Sequence, residues 1–82
     1  MSKFEEFFDH EEENIVKMSH KLTRYEEMLA AGGISKSEFE ELANDLLEYD
    51  TIDALAGDIE RKVAYRKAFD ALKSIVSIVS AL

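Results

Sequence analysis

Phe4, Phe8, Ile15, Met18, Leu22, Tyr25 and Leu29 follow one another at alternating steps of four and three, and Glu11 fills the one slot that breaks the series. A seven-residue apolar period held over nearly four repeats predicts one long amphipathic helix with a coiled-coil seam. A strand cannot hold that set on one face, because its side chains alternate with a period of two. Phe7 and Met28 widen the stripe, as on a helix that touches more than one neighbour. The series stops at Gly32 and Gly33, where positive φ is little strained and the last carbonyls can be capped. This places a first helix over about residues 3–31.

A second helix start follows at once. Ser35 can cap, Glu38 stands three residues on to complete a capping box, and Ile34 can pack on Phe39 as a staple. Phe39, Leu42, Ala43, Leu46 and Leu47 then mark one face of a helix over about 36–49. Asp50 and Thr51 are the next cap, with Asp53 in a first turn that the helix dipole favours. The third segment, about 52–81, carries Ile52, Leu55, Ile59 and Val63, then Tyr65, Phe69, Leu72, Val76 and Val79. Its stripe shifts phase between Val63 and Tyr65. Two readings fit: one helix that bends or changes its partner face, or a fresh helix beginning at Gly57 and Asp58. The continuous helix is the expected one, since an interior glycine costs only about 1 kcal/mol.

These segments predict an all-α fold, an elongated three-helix hairpin or bundle forming a single domain over residues 1–82. A helix of about 29 residues reaches roughly 43 Å, whereas a compact globule of this length is only about 30 Å across. The two outer helices would overhang it, so the chain is expected to be elongated or to assemble with copies of itself. The sequence has no Cys, no Pro and no Trp, which excludes disulfide scaffolds, cysteine–zinc sites and thiol catalysis. Nothing at Met1-Ser2-Lys3-Phe4 reads as a charged-then-apolar leader. No run approaches the roughly 20 apolar residues of a membrane span. A cytoplasmic place is expected, or the virion or host cytoplasm for a phage-encoded chain.

Eighteen acidic against ten basic side chains give a formal charge of −8, which disfavours direct binding to nucleic-acid phosphates. The charge is uneven: residues 1–50 hold 14 acidic and 5 basic groups, residues 51–82 hold 4 and 5. The acidic run Glu5, Glu6, Asp9, Glu11, Glu12 and Glu13 could lie along Arg61, Lys62, Arg66 and Lys67. Exposed pairs contribute about 0–1 kcal/mol each, yet they choose which helices face. Tyr65 within that basic cluster makes a pattern that can stack on single-stranded bases. The net charge and the acidic first helix favour an intramolecular role.

His10, Glu13, Lys17, His20, Arg24 and Glu27 also recur at steps of three and four. Imidazole and carboxylate suit borderline metals, but the histidines would stand roughly 15 Å apart along one helix. Lys17 and Arg24 would repel a cation besides. A solvated face is the expected reading, and only a symmetry mate could complete a site. Di-iron bundles use Glu-x-x-His pairs, and none occurs here. Glu11 is the single acid at a core slot, so general acid–base chemistry has no second buried carboxylate to work with. Gly32-Gly33-Ile34-Ser35-Lys36-Ser37-Glu38 resembles the second half of an EF-hand loop. The early ligand slots hold Glu27, Leu29 and Ala31, and two of these lack a side-chain oxygen. No catalytic, metal or cofactor residue is assigned.

The stretch from Tyr25, Tyr-Glu-Glu-Met-Leu-Ala-Ala-Gly-Gly-Ile-Ser-Lys-Ser-Glu-Phe-Glu-Glu-Leu, resembles the helical hairpin of SHOCT-type short domains over residues 25–47. The likeness lies in the leucine-bearing helix, the glycine-Ile-Ser turn and the Glu-Phe that enters the next helix. It implies an oligomerisation or interaction module rather than an enzyme. The long third helix has no counterpart in that pattern. The overall make-up is similar to small, cysteine-free accessory proteins of tailed bacteriophages.

Ser74, Ser77 and Ser80 form a narrow ridge between Ile75, Val76, Ile78 and Val79. A helix apolar around most of its circumference must be covered on more than one side. The plainer reading packs it on Phe4, Phe7 and Phe8 of its own chain. Because a chain this short buries little, a second chain is the expected cover. The expected function is non-enzymatic protein–protein interaction or assembly, as a homo-oligomer or with another helical protein. Its interfaces are expected at Phe4, Phe8, Ile15, Met18, Leu22, Tyr25 and Leu29, and at Phe69, Leu72, Ile75, Val76, Ile78, Val79 and Leu82. The alternative is a small acidic inhibitor or adaptor that occupies a basic, nucleic-acid-binding surface of a partner. It would use Glu5, Glu6, Asp9, Glu12 and Glu13, extended by Glu26, Glu27, Glu40 and Glu41.

Overall fold

The first helix breaks where its seam is broken. In a computed structural model, which describes residues 3–81 apart from the side chain of Tyr49, Lys3–Phe7 is a 3-10 helix and α1 runs Glu13–Ala30. The single helix expected over 3–31 is therefore corrected. Continuing it would carry Glu11 into the seam, whereas the turn at residues 8–12 leaves Glu11 exposed. Phe4 and Phe7 stay buried, because side chains three apart eclipse in a 3-10 turn. His10 stabilises the restart: its Nδ1 accepts the Glu12 N–H at 3.0 Å, and its ring lies against Phe7 with centroids 6.2 Å apart.

The stop and the next start follow their local chemistry. Gly32 takes φ +79°, the N–H of Gly33 donates to the Met28 carbonyl at 2.9 Å, and that of Gly32 to Leu29 at 3.1 Å. These two bonds make a Schellman stop. Helix α2 (Lys36–Leu46) opens on the capping box, with the Glu38 N–H donating to Ser35 Oγ at 3.1 Å and the Ser35 N–H to Glu38 Oε1 at 3.0 Å. It ends at Leu46 rather than 49, because Glu48 is extended and starts α3 (Tyr49–Leu55). Asp50 and Thr51, expected as a cap, lie inside the first turn of α3, where the Thr51 N–H donates to the Glu48 carbonyl at 3.0 Å.

Between α3 and α4 (Ile59–Ala81) the chain bends, so the expected continuous helix over 52–81 gives way to the fresh start at Gly57 and Asp58. Ala56 is extended, at φ −98° and ψ 124°. Asp58 Oδ1 accepts the Arg61 N–H at 2.8 Å, and its carbonyl accepts the Lys62 N–H at 3.0 Å. The phase shift is the cause. At about 100° per residue, Ile52, Ala56, Ile59 and Val63 would all lie roughly 120–180° from Tyr65 on a straight helix. The elbow turns Ile52 and Ala56 into the core and leaves Ile59 and Val63 behind.

Phe4, Ile15, Leu22, Phe39, Leu47, Tyr65, Phe69 and Leu72 form the fully buried centre. Helix α4 packs on α1, α2, α3 and the 3-10 helix. At 23 residues it is the longest helix of a body measuring 40 × 23 × 16 Å. The result is an elongated all-helical bundle, with no strand among the described residues.

Candidate functional site

With the core closed, one apolar pair remains outside it. Ile59 and Val63, one turn apart on α4, are 78% and 51% exposed. Together with Ile52, Asp53, Lys62 and Arg66 they line a groove of about 250 Å³ at the elbow. Lys62 Nζ stands 3.3 Å from Asp53 Oδ1, bridging α3 and α4. Both groups are exposed, so the pair orients more than it stabilises. The groove thus has apolar walls and a rim of two cations and one acid. By pattern Ile59 and Val63 belong to the core stripe, and the signal that they do not is the phase shift before Tyr65. Met28 on α1, Leu42 on α2 and Ile78 on α4 are also exposed, which is ordinary for large apolar residues.

Most residues expected at interfaces lie inside their own chain. Phe4, Ile15, Met18, Leu22, Phe69, Leu72, Ile75, Val76 and Val79 share one core, and Tyr25 and Leu29 pack against it. Phe8 stacks on His20 with centroids 4.0 Å apart. Ile78 is exposed, and Leu82 lies outside the described residues. The seam and the C-terminal helix thus face into one shared core, and both pack on α2.

On the acidic face, Glu5, Glu6, Asp9 and Glu13 are exposed, and Glu13 pairs with Lys17 at 3.5 Å. Glu12 turns inward. Its Oε2 accepts from the Tyr65 hydroxyl at 3.2 Å, and its Oε1 lies 3.5 Å from Arg61 Nε. The acidic run meets the basic cluster here. Glu26 is half-buried, and Glu27, Glu40 and Glu41 are exposed.

His10 and His20 each rest against a phenylalanine, and among the described residues no three His, Asp or Glu side chains gather as metal ligands. Glu38, the EF-hand-like acid, is engaged in its capping box. On the serine ridge, Ser74 Oγ donates to the Asp70 carbonyl at 3.1 Å, while Ser80 Oγ is buried without a partner among the described residues. No helix of the described residues is long and apolar enough to cross a membrane. Compared with known proteins, the chain matches no family model, no curated protein and no solved structure.

Proposed function

We propose that this chain is a non-enzymatic, self-associating interaction protein that docks through the α3–α4 elbow. The observation that carries this reading is the adjacent exposure of Ile59 and Val63 beside Lys62 and Arg66. Covering apolar surface contributes about 25 cal/mol per Å², so an uncovered aliphatic pair favours association. The likeness of residues 25–47 to SHOCT-type hairpins leans the same way. Association is assigned to the elbow rather than to the seam or the C-terminal helix, since those faces are turned into their own core. Light scattering coupled to size exclusion, over a hundredfold dilution, tests this reading. A mass that rises to a multiple of 9.3 kDa supports it, and the monomer mass throughout would sink it.

A second reading has its own observation. Glu5, Glu6, Asp9 and Glu11 stand exposed on one short segment, as an acidic adaptor for a basic protein surface would present them. Such binding weakens with salt and is lost when Glu5, Glu6 and Asp9 are changed to lysine. Binding indifferent to that reversal removes this reading.

A further inference from the structure

Resting on the self-association reading, we infer that the elbow groove is filled by α2 of a second copy, with Leu42 entering beside Ile59 and Val63 in a head-to-tail arrangement. The first support is local charge. The chain carries −8 overall, yet residues 59–67 hold Arg61, Lys62, Arg66 and Lys67 against Glu60 alone. Arg61 turns to Glu12, while Asp53, Lys62 and Arg66 line the groove, with Lys62 Nζ 3.3 Å from Asp53 Oδ1, so its lining carries two cations to one acid. An acidic apolar segment is the occupant such a site selects.

The same chain presents one. Leu42 is 36% exposed and is surrounded on α2 by Glu38, Glu41 and Asp45, all exposed. Among the other large exposed apolar residues, Met28 has Arg24 one turn away beside its neighbours Glu26 and Glu27, and Ile78 lies among serines, so neither has a purely acidic setting. Pairing two grooves face to face would bring two copies each of Lys62 and Arg66 together with only two copies of Asp53, and the surplus positive charge opposes that contact. The complementary surfaces are different patches, so the contact is heterologous and repeats from copy to copy.

The test uses the full chain in two variants, Ile59→Asp in the groove and Leu42→Asp on α2, each checked for wild-type helicity. The pair Ile59→Ser/Val63→Ser and the charge reversal Glu41→Lys/Asp45→Lys replace any variant that fails to fold. Each variant alone is expected to associate about tenfold more weakly or worse and to run as a monomer where the wild type does not. Mixing the two leaves one intact groove and one intact α2, so a single 1:1 complex that does not grow further is expected. A wild-type chain that associates while either variant keeps its full mass overturns the head-to-tail contact alone. So does a mixture that stays monomeric. A wild type that is monomeric at every dilution overturns self-association itself, and this contact with it.

Discussion

The Tyr65 hydroxyl donates to Glu12 Oε2 at 3.2 Å while accepting from Asn14 Nδ2 at 3.2 Å, and so ties the start of α1 to α4. Tyr65 is 1% exposed, which leaves its hydroxyl little access to water. The bond lies where the chain re-enters helix after the turn at residues 8–12. Tyr65→Phe keeps the ring and removes the shared atom. We expect a loss of about 1–2 kcal/mol, seen as a Tm lower by roughly 4–8 °C per kcal/mol, with helix content unchanged. An unaltered Tm would show that Glu12 and Asn14 find water as good a partner.

Phe4 and Ile59 belong to the same kind of apolar pattern in sequence and to opposite environments in the fold. Phe4 is fully buried, so Phe4→Ala is expected to cost about 3–5 kcal/mol, a large share of the total stability of a chain this size. Ile59→Ser is expected to shift stability by no more than about 0.5 kcal/mol. Urea denaturation at low protein concentration separates the two, and comparable losses would place Ile59 in the core.

Two glycines should respond with opposite sign. Gly32 sits at φ +79°, so Gly32→Ala is expected to cost about 1–2 kcal/mol through left-handed backbone strain. Gly57 has a negative φ or extended backbone and open space where a Cβ would stand. Gly57→Ala is expected to be neutral or to stabilise by up to about 1 kcal/mol through the unfolded chain. Removing the cap with Asp58→Ala should cost about 1 kcal/mol. Thermal melts of the three variants check the order, and a destabilised Gly57→Ala would contradict this account of the elbow.

Ser80 carries a buried hydroxyl without a partner among the described residues. Ser80→Ala removes a polar atom that folding takes from water and adds a better helix former. The expected gain is up to about 1 kcal/mol, read as a higher urea midpoint at an unchanged slope. A lower midpoint would mean that the hydroxyl is satisfied.

The helical class, the Gly32 stop and the Ser35 start are all readable from the residues, because each depends on bonds closed within a few positions. The break at Glu11 is visible as an acid in an apolar slot, yet the period around it still reads as one helix. The missing information is how His10, Phe7 and Tyr65 hold a turn there, and two of those contacts come from residues far apart or outside regular helix. The elbow at Gly57 is legible only as one of two readings. Its groove is not, since Ile59 and Val63 carry the same apolar signal as Phe69 and Leu72.

By itself, then, the sequence determined that the chain is helical, that one helix stops at Gly32 and the next starts after Ser35, and that the charge is acidic and uneven. Those properties arise from propensity, capping and charge, which act over one or two turns. Only the tertiary structure decided which apolar stripe is covered. The seam residue Leu22 and the C-terminal Val76 disappear into one core, while Ile59 and Val63 stay in water. Burial is a property of how segments cross in space, and one bend between Leu55 and Ile59 puts Ile52 and Ala56 in the core and leaves Ile59 and Val63 outside it.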